Sequence, residues 1–307
     1  MKVLITFNPV AGKGLGARVA ASLRTRLEAH RLRDGRAIEA HVLETRLDPL
    51  NSWLTPHLEG ADLLVILGGD GAVRMLAQAA LDAQVPIYHY PQGTENLFSR
   101  DHGMAADPER LLDTIENGTV VETDVAEVEG TLMLLCASSG FDADVVHDLA
   151  RHRTGPITHL SYLAPILRTL LRWRRLRSRV SVIIDDGPSI QLGYGVLVIA
   201  NSSQYALRLD PAPEASTRDG VLDVVFLPAR SGLHLLLWAF RCRRGSHVTH
   251  RRIFHGRGAR VTLCCEPAAR IQLDGDAFRP GHPFKSVHAR VLARKLPVLV
   301  RRVREAT

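Results

Sequence analysis

The run Leu63-Leu64-Val65-Ile66-Leu67-Gly68-Gly69-Asp70-Gly71-Ala72-Val73 constrains the fold more than any other part of the chain. An apolar run with no polar alternation reads as a strand buried on both faces, and such strands belong to parallel sheets covered by helices. The glycines then break the strand, and the pattern changes to a helical one over Val73–Leu81. A glycine turn between strand and helix brings free amides and the positive end of the helix dipole close to a bulky anion such as a triphosphate. A plain tight turn that needs glycine for positive φ accounts for the same residues.

Two more strands end the same way. Strand Lys2–Phe7 runs into Asn8-Pro9-Val10-Ala11-Gly12-Lys13-Gly14, where Lys13 offers a point charge for phosphate. It is not a Walker A loop, since GxxxxGK followed by Ser or Thr is absent. Gly12–Ala17 matches the loose dinucleotide pattern GxGxxA, although Asn8 to Ala11 separate it from the strand end. Strand Val85–Tyr90 runs into Pro91-Gln92-Gly93-Thr94-Glu95-Asn96, whose Thr94 and Asn96 suit helix capping or phosphate and ribose contacts. Loops that follow strands of one parallel sheet gather at its carboxyl edge, where open α/β sheets bind ligands.

With a further strand at Arg36–Leu43 and helices at Ala17–Arg31, Pro49–Leu58 and Pro108–Asn117, the first part alternates strand and helix. After Gly118 the pattern becomes short β-rich runs: Val120–Val128, Thr131–Ala137, Val180–Ile184, Gly195–Ala200, Leu222–Leu227, Ala259–Leu263, Arg270–Leu273 and His288–Leu292. These predict a sandwich or barrel, interrupted by one helix over Thr158–Arg177. The expected domains are 1–120 and 121–307, with the boundary near Gly118–Thr123. Whether Leu296–Val300 returns to the first lobe stays open.

Asn8-Pro9 with Gly12-Lys13, Gly68–Gly71, Pro91–Asn96 with Arg100, Ser139-Gly140-Phe141-Asp142-Ala143, Arg218-Asp219-Gly220-Val221-Leu222-Asp223 and Leu273-Asp274-Gly275-Asp276 occur in this order. In that order they resemble the diacylglycerol kinase catalytic family, over about residues 2 to 292. The resemblance implies a three-layer α/β nucleotide-binding lobe of NAD kinase and phosphofructokinase type. A C-terminal β-sandwich lobe for the lipid substrate follows it, and the two flank a cleft for ATP and Mg²⁺. Nucleotide contacts are implied at Asn8, Gly12, Lys13, Thr45, Gly68, Gly69, Asp70, Gly71, Ala72, Thr94 and Asn96. A structural Mg²⁺ falls to Asp219 with the carbonyls of Ser216 and Val221, hard oxygen ligands of the type that ion prefers. Asp276 becomes the proton acceptor, with Asp274 and Asp70 beside it in the metal and water network; read locally, Asp274-Gly275-Asp276 is also an acidic hairpin turn. Two residues depart from the family pattern: Ala72 stands where Thr is usual, and Asp276 where Glu is usual. Misplacing a catalytic group on the ~1 Å scale costs roughly 100-fold in rate. The departures leave open a weakly active or purely binding relative, as Gly12–Ala17 leaves open an NAD(P)-binding oxidoreductase.

Charge bears on the partner. Lys and Arg total 39 against 32 Asp and Glu, and residues 151–180 and 229–263 each hold eight Arg and no acid. On Thr158–Arg177, Leu160, Leu163, Leu167, Leu170 and Leu171 form an apolar stripe, with Arg168, Arg172, Arg175 and Arg179 at near-helical spacing beside it, as in helices that rest on anionic lipid. An ordinary core-facing helix with a basic outer face has the same pattern. Few aromatics interleave the second basic block, so nucleic acid is not the expected partner. No apolar run reaches a membrane span, and Met1–Phe7 reads as a first strand and not a signal peptide. Cys136, Cys242, Cys264 and Cys265 lack CxxC spacing, which argues against zinc or a disulfide framework. The expectation is a cytoplasmic protein held peripherally at the inner membrane surface, with a homodimer left open.

Overall fold

A computed structural model describes residues 1–9, 14–46, 48–152 and 158–302. The chain forms two compact units, one of residues 1–123 with 294–307, the other of residues 124–293.

The first unit is built on β1 (Lys2–Phe7), α1 (Gly16–Glu28), β2 (Glu39–Glu44), α2 (Leu50–Trp53), α3 (Thr55–Leu58), β3 (Leu63–Gly68), α4 (Asp70–Ala83), β4 (Ile87–Pro91), α5 (Leu97–Asp101), α6 (Pro108–Asn117) and β5 (Thr119–Thr123). Every residue of β3 is buried, as its unbroken apolar run requires. α6 starts where the Asp107 side chain accepts the Glu109 amide at 2.9 Å and Pro108 fills the first turn. The second strand starts at Glu39 and not at Arg36. Val120–Val128 is not one strand: β5 ends at Thr123, and the next strand belongs to the second unit.

The second unit follows with β6 (Ala126–Val128), β7 (Thr131–Met133), β8 (Cys136–Ser139), α7 (Phe141–His152), α8 (Leu163–Leu176), β9 (Arg179–Ile184), β10 (Ile190–Ala200), β11 (Leu222–Pro228), α9 (Gly232–Arg243), β12 (Phe254–Gly258), β13 (Arg260–Ala269), β14 (Ile271–Leu273), β15 (Asp276–Phe278) and β16 (Phe284–Val291). It is a β-sandwich carrying helices, and β10 joins its two sheets. Before a bulge between Gln191 and Gly193 and just after it, β10 pairs with β9; from Gly195 it pairs with β8 and β11. Beyond Gly195 the strand is buried on both faces, and its period of two divides it between two cores. Leu197 and Ile199 join the sandwich interior with Leu222, Val224 and Phe226. Val196 and Val198 instead meet Trp173 of α8 and Leu235 and Trp238 of α9. One helix over Thr158–Arg177 is thus a correction: a 3₁₀ turn over His159–Tyr162 precedes α8, and α7 and α9 are further helices.

The last strand, β17 (Leu296–Val300), returns to the first unit, where the sheet order is β2-β1-β3-β4-β17-β5. β1 to β4 are parallel neighbours, β17 runs parallel to β4, and β5 is antiparallel to β17.

Candidate active site

Because β2, β1, β3 and β4 are adjacent and parallel, the segments that follow them lie along one edge of the first unit's sheet. Asn8 follows β1, Thr45 follows β2, Gly69 follows β3, and Gln92 to Thr94 follow β4. Gly12 and Lys13 lie outside the described residues.

The edge is tightly built. The Thr45 amide and hydroxyl both donate to the Phe7 carbonyl, at 2.9 and 3.1 Å. The Gln92 amide donates to the Gly68 carbonyl at 2.7 Å, tying the two glycine loops together. Close approach, not positive φ, is what the central glycines supply: Gly69 has φ −101° and ψ −176°, open to any residue. A Cβ on Gly93 would stand 2.6 Å from the Gly69 Cα, and one on Gly69 would stand 3.2 Å from the Gly93 Cα. A side chain at Gly93 would force the Gly69 backbone to move. Ala72 lies within the same packing, since a Cβ on Gly68 would meet its Cβ at 2.7 Å.

Asp70 opens α4, and its carboxylate accepts the Leu97 and Phe98 amides at 3.0 and 2.9 Å. It thereby caps α5 and joins the loop after β3 to the loop after β4. Asn96, in the left-handed region at φ 52°, accepts the Gly93 amide at 2.8 Å and donates to the Gly93 carbonyl at 2.9 Å. Its side chain serves loop closure, while Thr94 is exposed. His89 is fully buried beneath them with Nε2 2.9 Å from the Gly68 carbonyl oxygen, and burial lowers its pKa.

Arg100 on α5 is the residue whose role the sequence left undefined. Its guanidinium is mostly buried and reaches Glu95 through Nη1 at 3.5 Å, while Nε and Nη2 are shut off from solvent with no hydrogen-bond partner. Burying a cation with unused donors is costly, and an anionic oxygen would relieve that cost. Arg100 stands three residues beyond the start of α5, the helix that Asp70 caps.

In the second unit, Asp274 and Gly275 have φ 49° and 86° and join β14 to β15 in a two-residue turn, with Leu273 paired to Asp276. Asp274 is buried, and its carboxylate accepts the Leu134, Leu135 and Cys136 amides at 2.8, 2.8 and 2.9 Å. That occupation makes it the brace that holds the start of β8 against the turn. Asp276 is exposed at the start of β15. Asp274-Gly275-Asp276 is therefore an acidic hairpin turn with one carboxylate turned inward to the backbone and another at the surface.

The segment proposed for Mg²⁺ is held by Asp124, which sequence reasoning passed over inside the β-rich run Val120–Val128. Fully buried, Asp124 accepts the Gly220 amide at 2.7 Å, and its own amide donates to the Thr217 carbonyl at 2.7 Å. Asp219 is ion-paired with Arg257, which also reaches Asp223 at 3.2 Å. A carboxylate with two main-chain carbonyls fits Mg²⁺ in donor chemistry, and the Arg257 guanidinium occupies the place a cation takes on Asp219. Among the described residues, no group of three His, Cys, Asp or Glu side chains forms a metal cluster.

Known proteins resemble the chain along nearly its whole length. Residues 2–128 match the diacylglycerol kinase catalytic domain, and residues 136–300 match the YegS C-terminal NAD kinase beta sandwich-like domain. A diacylglycerol kinase of Mycobacterium tuberculosis is 26% identical, with 91% of this chain and 90% of that protein covered. A diacylglycerol kinase of Bacillus subtilis is 24% identical, with 89% of this chain and 88% of that protein covered. Among solved structures, a diacylglycerol kinase from Bacillus anthracis superposes with TM-score 0.66 at 17% identity, covering 98% of this chain and 97% of its own. Yeast NADH kinase superposes with TM-score 0.51 at 8% identity, covering 98% of this chain and 84% of its own, a likeness of fold alone. With the diacylglycerol kinase catalytic domain matched on the α/β unit and the YegS C-terminal domain following it on the β-sandwich, the chain belongs to the diacylglycerol kinase catalytic family.

Proposed function

We propose that this chain transfers the γ-phosphate of ATP to a hydroxyl of a membrane lipid, with diacylglycerol or a related amphiphilic alcohol as acceptor. The observation that carries the reading is the glycine-backed edge of the first unit, where mutually packed loops lie beside Arg100 and its unused donors. Phosphoryl transfer asks mainly for positioning and charge neutralisation, and this edge is suited to both. In the reaction the lipid oxygen bonds to the γ-phosphorus as the bond from that phosphorus to the β–γ bridging oxygen breaks. ADP leaves, and the hydroxyl proton passes to the Asp276 carboxylate. Asn8, Thr45, Gly68 to Ala72, Thr94 and Arg100 hold the nucleotide, while Asp70 keeps α5 in place. Mg²⁺ on Asp219 and the Ser216 and Val221 carbonyls would, when bound, fix the 216–221 segment.

The acceptor's location favours a protein that works at the cytoplasmic face of the membrane. No helix among the described residues is long and apolar enough to cross a bilayer. α8 leaves Leu163, Leu167 and Leu171 exposed beside its arginines, a face suited to peripheral attachment. Ala72 and Asp276 favour a second reading, a relative that binds nucleotide without turnover. Incubation with γ-labelled ATP, Mg²⁺ and a bacterial lipid extract, followed by thin-layer separation, tests the proposal. A labelled lipid is expected; ATP binding with no labelled lipid overturns the kinase reading in favour of the second.

A further inference from the structure

The second unit contains a cavity of about 880 Å³ that the phosphoryl-transfer reading leaves unused. It opens where the bulge in β10 meets the end of β11 and α9. Arg179, Arg230, Arg241 and Arg252 line it together with His234 and His250, and no carboxylate does. Elsewhere in the unit Arg257 is paired with Asp219 and Asp223, Arg260 with Asp186, Arg270 with Asp144 and Arg290 with Glu127. Among the described residues none of the four cavity arginines forms an ion pair, although Glu266 faces Arg179 across the β9–β13 ladder. Four like charges around one hollow repel one another and focus a positive potential into it.

Aromatic rings pack beside two of these charges, Arg179 and Arg241. Arg179 Nε donates to the Tyr194 hydroxyl at 3.2 Å, and its guanidinium lies 5.6 Å from the Tyr194 ring centre. Trp238 is anchored by its indole N–H on the Pro228 carbonyl at 2.8 Å, with Arg241 5.9 Å from its ring and His250 edge-on at 5.0 Å. The rim is apolar. Leu237 lines the cavity at 49% exposure, and Leu233, Leu236 and Phe240 continue an exposed ledge along α9. A cationic hollow beside an apolar ledge is complementary to an amphiphile whose anionic head and hydrocarbon tail lie side by side. A free anion would leave the ledge without a use.

We propose that this cavity binds the phosphate-bearing headgroup of an anionic membrane phospholipid, with the α9 ledge entering the acyl region beside it. The site's role is to anchor the protein, which does not depend on phosphoryl transfer, so the proposal stands whether or not the chain is a kinase.

Sedimentation of the full chain with phosphatidylcholine vesicles, with and without phosphatidylglycerol, tests it. Binding is expected only with phosphatidylglycerol present. Arg230→Ala with Arg252→Ala, both exposed, is expected to lower partitioning by roughly five-fold per arginine. Arg18→Ala with Arg24→Ala removes the same charge from exposed positions of α1 and is expected to change it less than about two-fold. Equal losses in the two double variants, or no loss in the first, overturn the proposal. Inorganic phosphate at matched phosphorus concentration is expected to leave vesicle binding intact; its displacement of the protein from vesicles would make the cavity a free-anion site and overturn the lipid assignment. Should the first pair of substitutions unfold the chain, Leu233→Ser with Leu237→Ser carries the test, with weaker vesicle binding expected and unchanged binding contradicting it.

Discussion

At the residue scale, three side chains separate chemistry from scaffolding. Arg100 keeps two buried donors without a partner, and in the proposed reading it holds the nucleotide, so Arg100→Ala is expected to raise the KM for ATP roughly 10- to 100-fold, the range of charge-assisted hydrogen bonds. Steady-state kinetics check it, and an unchanged KM would return Arg100 to a structural role. Asp276 is one methylene shorter than the Glu usual in the family, and Asp276→Glu is expected to raise kcat if reach limits proton acceptance; equal turnover would show that it does not. Asp144 reports on the second unit's electrostatics. Burial pushes its pKa to about 6 against the pull of Arg270 at 3.1 Å. A folded-state pKa above the unfolded value means that the folded protein holds an extra proton between about pH 4 and 6. Stability from this group is therefore full at low pH and is lost as pH rises through about 6. Asp144→Asn is accordingly expected to gain about 3 kcal/mol relative to wild type between pH 4 and 7. Urea unfolding followed by Trp173 and Trp238 fluorescence measures the difference, and parallel pH curves would contradict it. Buried His147, whose pKa burial lowers, acts in the opposite sense: its cost to stability appears as pH falls below 6.5, and it is common to both proteins.

At the element scale, Gly69 and Gly93 are the contact that makes two loops into one edge. Gly93→Ala forces a Cβ onto backbone, and a loss of about 1–3 kcal/mol of stability is expected, with nucleotide binding falling alongside. Thermal unfolding checks it, and an unshifted melting temperature would mean that the loops part freely. These loops were legible in the sequence because an unbroken apolar strand can only be buried in a parallel sheet, and parallel strands share a carboxyl edge. The reason for the glycines was legible only in part: the sequence allowed positive φ, whereas the geometry calls for close approach. α9 was not legible, because Gly232-Leu233-His234-Leu235-Leu236-Leu237-Trp238-Ala239-Phe240 is apolar on nearly every side and carries no helical period. Half of it faces Trp173 and the sheet, and the other half is the exposed ledge. The bracing contacts of Asp274 were not legible for a similar reason, since nothing local distinguishes a carboxylate at a turn from one that braces three amides of a distant strand.

At the scale of the whole molecule, the chain leaves its first unit at Thr123 and comes back at Arg294 to insert β17 between β4 and β5. Pairing between segments so far apart in sequence leaves no local signature, so the return is not legible in the sequence. Ending the chain at Ala293 is expected to expose β4 and β5 and to leave the first unit proteolytically labile. Limited proteolysis would show the first unit degraded ahead of the second; equal resistance would show that β17 is dispensable. The transfer of phosphate to lipid is tested most directly with γ-labelled ATP, Mg²⁺ and diacylglycerol in mixed micelles, using wild type and Asp276→Asn side by side. Label is expected in a phosphorylated lipid with wild type and to fall to background with Asp276→Asn, while both proteins bind ATP equally. No label with wild type, or equal label with both, would contradict a lipid kinase in which Asp276 takes the proton.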